Sequence, residues 1–403
     1  MDQPFPPTRA AGLARLQAFV PRAGRAYAAR RNLVLPETGH RNVSGLSPYL
    51  RHRLVTEREV LTAVLGRHSL QAAEKFVQEV FWRTYWKGWL ERRPGVWDTY
   101  RRDLDRTLDG MDDALARRVA EAEAGRTGIA CFDAWARELV ETGYLHNHAR
   151  MWVASIWIFT LRLPWEVGAD WFLRHLLDGD PASNTLGWRW VAGLQTRGKH
   201  YVARASNIAQ LTEGRFDPAG ELDETPEPLT GPEPPPRGPV PESDRPDPGL
   251  RTGLLLTEED LSPGPFVGTL DIVAQAGLVS AQRRSPRPVA SQVSAFTTAA
   301  IEDARDRWAA RLGTRGPTAT TPREIADWAE AEGLGQVVMG YAPVGPAARA
   351  TAELKQNLNL RGIRLAQVLH RLDSVAWAHA THGFFRFKRH IPELVEVATD
   401  IRA

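Results

Sequence analysis

Residues 127–190 read TGIACFDAWARELVETGYLHNHARMWVASIWIFTLRLPWEVGADWFLRHLLDGDPASNTLGWRW. Asp133, Trp135 and Leu139 follow a glycine turn, and apolar residues then recur at helical spacing. A long helix is predicted from Tyr144 to Thr160, with His146, Asn147, Arg150 and Met151 in its first turns. Pro164 opens a second helix, Trp165 to Leu177, and the loop DGDPASN caps a third that carries Gly187, Trp188 and Trp190. Amides, carboxylates and an arginine thus sit among indoles. Helices that only fill a core rarely need that mixture, because each buried polar group requires a partner.

Working outward, 403 residues suffice for two domains, each with its own core. The single cysteine, Cys131, excludes an intrachain disulfide and a multi-cysteine metal or iron–sulfur site, and no metal ligands are assigned. A net charge of +3 is compatible with nucleic-acid binding without singling it out. There are 14 Trp against 7 Tyr, most of them between Trp82 and Trp190, a density that fits stacking or electron transfer as well as plain packing. The most apolar run, MWVASIWIFTL, stops at Arg162, well short of a membrane span, and the N-terminus lacks a secretory pattern. A cytoplasmic protein is expected.

Before the decisive stretch, residues 10–32 read as a short helix pair interrupted at Pro21. In RNVSGLSPYL, Ser44, Gly45 and Ser47 precede a helix starting near Pro48; hydroxyls and free N–H groups there suit a diphosphate, or are an ordinary cap. In KFVQEVFWRTYWKGWLERRPGVW, Glu79, Trp82, Arg83 and Trp86 fall at i, i+3, i+4 and i+7 and share one helix face. A carboxylate among indoles marks a site, or an ion pair with Arg83. From Ala10 to Asp217 almost everything reads as helix.

Five segments in this order, YAARRN, VSGLSPYL, QEVFWR, TGYLHNHARM and LLDGDPASN followed by GWRW, resemble the flavin domain of the DNA photolyase and cryptochrome family. The resemblance covers about half the chain and implies an all-helical domain holding FAD. By the same resemblance, Tyr27, Ser44, Gly45, Leu46 and Ser47 serve the FAD phosphates and ribityl chain. Arg150 and Asp178 lie beside the isoalloxazine, Asp180 makes a further flavin contact and Asn184 faces flavin N5. Glu79, Trp82, Asn147, Met151 and Trp190 line a pyrimidine-dimer pocket, with Asn147 favouring the cyclobutane lesion over the (6-4) product. Arg31, Arg83 and His148 stand where the family contacts DNA; His148 replaces the arginine common there, which weakens a phosphate contact. Trp188 and Trp165 match the first two members of the family's electron-transfer chain, whereas residues 111–122 hold no Trp or Tyr to match the third. Trp152, Trp157 and Trp171 read as core residues, with completion of a different route as the alternative.

From Asp217 the composition shifts to ETPEPLTGPEPPPRGPVPESDRPDPG, which reads as an extended or disordered linker over residues 217–249. The expected domains are therefore a photolyase-like helical FAD-binding domain (1–216), the linker, and a smaller α/β domain (250–403). In the last, GLLLTEEDL, QVVMGYAPVG and RLAQVL are predicted strands, separated by helices. This order resembles the later half of the family's α/β antenna domain, placed after the flavin domain rather than before it; an unrelated α/β unit is the alternative, and no second, antenna chromophore can be named. His370 and Asp373 are read as surface polar residues. The expected function is FAD-dependent, blue-light-driven repair of cyclobutane pyrimidine dimers in DNA by a monomer. A cryptochrome-like photoreceptor without repair activity, or a structural member lacking FAD, are the alternatives.

Overall fold

The computed structural model describes residues 5–36, 39–264 and 270–400. Its N-terminal half is helical because each segment carries its own start and stop signals. Thr8 caps Arg9–Phe19, Thr56 and Glu59 form a reciprocal capping box on Glu57–Leu65, and Ser69 caps the 22-residue helix Leu70–Glu91. Gly143 and Gly193 close Ala130–Thr142 and Pro181–Ala192 in the left-handed conformation that a residue without Cβ adopts freely. The helix expected from Tyr144 to Thr160 starts later, at Asn147, with His146 as its cap. It changes at Ile156 into a π turn running to Thr160. The second helix is Trp165–His175.

The C-terminal half is a five-stranded, wholly parallel sheet. Its strands are β1 (Thr252–Thr257), β2 (Ile272–Leu278), β3 (Thr314–Ala319), β4 (Gln336–Gly340) and β5 (Arg364–Val368), in the order β3-β2-β1-β4-β5. The three expected strands are β1, β4 and β5. β2 and β3 were not legible: DIVAQAGL is buried almost throughout and so lacks alternation, and TRGPTA is a half-exposed edge with a proline.

Alternation along β1 sends Leu254 and Leu256 to one face and Leu255 to the other. Leu255 packs with Val337, Met339 and the helices Pro322–Ala331 and Pro346–Asn359. Leu254 and Leu256 join the helix Ser291–Trp308 in one hydrophobic core that runs on, without a break, into the helical half. Phe296 of that helix meets His52 at 5.4 Å and Tyr49 at 6.5 Å between ring centroids. The halves are also joined by charge. Arg51, His52 and Arg53 face Glu258, Glu259 and Asp260 at the carboxyl end of β1: Arg51 Nη2 donates to Glu259 at 2.5 Å, and His52 Nδ1 lies 2.9 Å from the Glu258 carbonyl. Arg53 pairs with Asp373, so Asp373 is a buried interface residue and not a surface one. His370 likewise bonds Asp260.

The proline-rich segment, expected to be extended or disordered, is extended and hydrogen-bonded to its neighbours. Leu229 N–H donates to Ala192 O (2.9 Å), Gly238 N–H to Arg92 O (2.7 Å) and Asp244 N–H to Gln367 O (2.9 Å), so residues 217–249 form a strap from the helical half to the edge of β5. Prolines lower the entropy lost on ordering, and the remaining N–H groups find fixed acceptors. Among the described residues, no helix is long and apolar enough to cross a membrane.

Candidate cofactor and substrate cavity

A cavity of about 570 Å³ opens in the helical half, within the size range of cofactor pockets. One wall is the turn Val43–Ser47, where Gly45 has φ +60° and Ser44 Oγ accepts from Leu46 N–H at 3.3 Å. The others are Leu70–Glu91, Asn147–Ser155 and Pro181–Ala192. The helix after the turn, Ser47–Arg51, has only five residues, too few for an appreciable dipole. What the turn offers an anion is its hydroxyls and N–H groups.

On the floor, Arg150 donates from Nε to Leu145 O and from Nη2 to Asp178 Oδ2, both at 2.8 Å. Burial opposes the Asp178 charge, but Arg150, the Ser47 hydroxyl and Arg83 outweigh it and hold the carboxyl below its ordinary range. Asp180 caps Pro181–Ala192 by accepting from Ser183 N–H at 2.7 Å. Its other oxygen lies 3.7 Å from Lys87 Nζ and 3.9 Å from Arg51 Nε. Burial is again outweighed, by Lys87, Arg51 and Arg83, and Asp180 stays ionised. Asn184 donates from Nδ2 to Ala169 O at 2.8 Å, which orients its amide and leaves Oδ1 for another partner. Tyr27 is buried and its phenol is pushed well up, so it remains a neutral donor.

All nine residues expected to hold FAD line this one cavity, although Tyr27 and Ser44–Ser47 lie more than 100 residues from Arg150. Four buried polar atoms of its lining residues lack hydrogen-bond partners: Arg83 Nη1, Asp178 Oδ1, Asp180 Oδ2 and Trp188 Nε1. Others occur elsewhere in the molecule, but these four border a cavity in which the atoms of a polar cofactor would satisfy them.

Glu79, Trp82, Asn147, Met151 and Trp190 line the same cavity, but the environment of three differs from expectation. Glu79 pairs with Arg31 at 2.6 Å, not with Arg83. Burial raises the Glu79 carboxyl and outweighs the opposing pull of Arg31 and Lys75. Trp82 is stacked flat on Phe384 (3.7 Å, 12°) and Trp190 on Tyr201 (5.7 Å, 24°), so each indole has one face already covered.

Two of the three residues expected on a DNA surface are placed differently. Arg83 points to the floor, donating to Ser47 O at 3.2 Å with Asp178 and Asp180 nearby. His148 rests edge-on against Trp152, and its pKa is lowered, chiefly by burial, so it is not a cation for phosphate. Arg31 lines the cavity, engaged by Glu79.

Trp188 lines the cavity and Trp165 does not. Trp165 contacts Tyr100 (5.7 Å), and no ring contact joins it to Trp188 among the described residues. Ring contacts from Trp188 lead instead to Trp157 (6.3 Å, edge-on) and on to Trp171 (5.5 Å, stacked). Reasoning from sequence also missed Phe384, whose segment HGFFRFK signals only aromaticity. The space beside Gly187 was missed too: a Cβ there would meet nothing within 4 Å. A glycine inside a helix was its signal.

A family profile described as the FAD binding domain of DNA photolyase matches residues 76–223. The deoxyribodipyrimidine photo-lyase of Streptomyces griseus is 37% identical over 166 residues, covering 40% of this chain and 35% of the relative. One from Thermus thermophilus is 34% identical over 228 residues, covering 54% and 50%. The chain therefore spans about a third to a half of the length of these relatives. A bacterial class III photolyase structure from Agrobacterium tumefaciens aligns with a TM-score of 0.44 at 28% identity, covering 51% of this chain and 42% of that one. The matched profile and the named relatives make residues 76–223 similar to the FAD-binding domain of the DNA photolyase and cryptochrome family, in the half of the chain whose donors and acceptors gather in one cavity.

Proposed function

We propose that this protein is a light-driven DNA lyase that splits cyclobutane pyrimidine dimers. The observation that carries the reading is the sharing of one cavity by Arg150, Asp178 and Asn184 with Glu79, Trp82, Asn147, Met151 and Trp190. FAD, bound and reduced, supplies the photochemical electron. The protein's own work is to extrude and hold the dimer, keep donor and acceptor close, and exclude water. Trp82 and Trp190 offer their uncovered faces and edges to the bases, and Asn147 its amide to the base carbonyls. Glu79 becomes a hydrogen-bond donor when Arg31 is drawn away by a backbone phosphate, because burial then raises its carboxyl further, with Lys75 alone opposing. Asn184, with its orientation set by Ala169, holds a neutral amide toward the cofactor. Trp188 and Trp157 are assigned to electron supply. The five-stranded unit takes the place of the antenna domain in this reading, its pigment unassigned.

A blue-light photoreceptor without repair activity is the second reading, favoured by the covered faces of Trp82 and Trp190. Illuminating reduced, FAD-loaded protein with dimer-containing DNA and following thymine recovery tests both. Recovery is expected; bound flavin without recovery would leave the photoreceptor. Glu79→Ala is expected to lower repair yield about tenfold or more while the flavin spectrum is unchanged. A lost spectrum would show that Glu79 serves the cofactor instead.

A further inference from the structure

At the C-terminal end of Leu70–Glu91, three segments distant in sequence bring arginines together. Arg92 Nε donates to Gly238 O (3.0 Å) and Arg92 Nη1 to Ala378 O (3.1 Å), while the Arg92 carbonyl accepts from Gly238 N–H (2.7 Å), which fixes the neighbouring Arg237 of the strap beside it. Arg93 lies over the Trp89 ring at 4.3 Å and donates to Thr381 O at 3.1 Å. Arg386 approaches His382 at 3.5 Å, and the His382 carbonyl accepts from Tyr85 OH at 2.7 Å. Their hydrogen-bond partners are carbonyls and an imidazole. No carboxylate lies within ion-pair distance of Arg92, Arg93, Arg237 or Arg386 among the described residues, so four positive charges stay unneutralised. His382 is held below its ordinary pKa, first by its partial desolvation and then by Arg386, Arg237 and Arg93. Next to Arg386, Phe385 is 80% exposed, an aromatic ring in water with cations around it. The preceding residue, Phe384, is the one stacked on Trp82 at the cavity.

Trp82, Trp86 and Trp89 fall at i, i+4 and i+7 along one helix, and Arg93, two residues beyond its end, lies over Trp89 at 4.3 Å, so one row of residues connects the cavity with the arginines. From Trp82 to its end the helix rises about 14 Å, or roughly four nucleotides of a strand at ~3.4 Å each. We propose that Arg92, Arg93, Arg237 and Arg386, with Phe385 beside them, bind the sugar-phosphate backbone and an unpaired base of the DNA strand leading away from the lesion. The strap and the C-terminal segment are then part of the substrate surface. The choice of a lesion-bearing strand rests on the repair reading above; the polyanion site itself rests on the unneutralised charge and the exposed ring.

The test is fluorescence anisotropy of the FAD-loaded protein with a labelled duplex, with and without one thymine dimer, over a series of KCl concentrations. Arg237→Gln with Arg386→Gln, both exposed positions, is expected to weaken binding roughly tenfold near 150 mM salt. The same pair lowers the slope of log K against log salt by about 1.8, or 0.9 per lost contact. Phe385→Ala is expected to weaken binding about fivefold or more with the slope unchanged. Arg323→Gln, on the far side of the sheet, leaves both as in the wild type. Flavin absorption and the unfolding midpoint of each variant report folding. Wild-type affinity and slope in the double arginine variant would overturn the proposal even if the dimer is preferred. A reduced slope without dimer preference would support the patch while removing the repair reading. Binding to phosphatidylserine vesicles with none to either duplex would overturn both.

Discussion

Single residues divide into those whose role follows from type and those whose role follows from surroundings. Asp178 and Arg150 belong to the first kind, since a buried carboxylate needs a cation and the nearby sequence offers one. Gly187 belongs to the second. Its missing side chain opens onto the cavity, where a flat ring system could approach the helix backbone. Gly187→Ala is therefore expected to stabilise the flavin-free protein by about 0.5–1 kcal/mol, through helix propensity, while weakening FAD binding. Gly187→Leu is expected to abolish FAD binding in a folded protein. Urea unfolding and flavin absorption measure the two effects separately, and unchanged FAD affinity in both variants would show that the cofactor stays away from this wall. Cys131 illustrates the opposite case: burial pushes its thiol up to about 12, so it is packing and not chemistry.

Among elements, the strap shows what composition leaves open. Proline, acid and few apolar residues are the marks of disorder, yet residues 217–249 run from Ala192 past Arg92 to Gln367 with hydrogen bonds at each stage. The cause is the availability of unpaired carbonyls on folded neighbours, which composition cannot report. Hydrogen exchange is expected to show slowed amides at Leu229, Gly238 and Asp244, by about tenfold or more against an unstructured peptide of the same sequence. Exchange at the free-peptide rate at all three would mean that the segment is a loose tether. The helix Leu70–Glu91 is the counterpart that was legible: its face Glu79, Trp82, Arg83 and Trp86 does line the cavity. Only the partner of Glu79 differed, Arg31 instead of Arg83, because Arg83 is drawn inward by Ser47 O and the aspartates.

At the scale of the molecule, the two halves share a core and a buried lattice of charge, so their titrations are coupled to stability. His146 is held down to about 3, chiefly by burial and then by neighbouring histidines, and as an N-cap its Nδ1 accepts the His148 N–H, which an imidazolium cannot do. Unfolded, it takes a proton below about 6.5, so its contribution to stability is lost as pH falls from there. Glu91 is raised to about 7 by burial, although the Val344 N–H and Tyr341 OH favour its charge. Unfolded, it ionises above about 4.5, so it costs stability as pH rises from 4.5 to 7, the opposite sign. Glu259, between Arg51 and Lys87, is held down to about 2 against its burial and supports the fold until pH falls below about 4.5. Between pH 4.5 and 6.5, Glu91→Gln is expected to make stability climb more steeply with pH, by about 1.4 kcal/mol per unit. His146→Asn, which keeps a capping side chain, is expected to flatten that climb by the same amount. Denaturant unfolding at a series of pH values measures both, and parallel curves for wild type and variants would show that neither group is shifted.

The sequence alone was enough to read the helical half, because capping residues and helical periodicity act locally and survive in one dimension, and the resemblance carried by its short polar motifs pointed to FAD and to residues that line the cavity. Three of the five strands were legible for the same reason; β2 and β3 were not, since full burial and an exposed edge both erase alternation. Tertiary structure alone decided which charges meet. It gave Glu79 to Arg31, turned Arg83 and Asp180 inward, stacked Phe384 on Trp82 and led Trp188 toward Trp157 rather than Trp165. Residues 127–190 carry the ingredients of the site, but a contact between residues far apart in sequence, such as Trp82 and Phe384, depends on how two halves dock, and no local pattern encodes that.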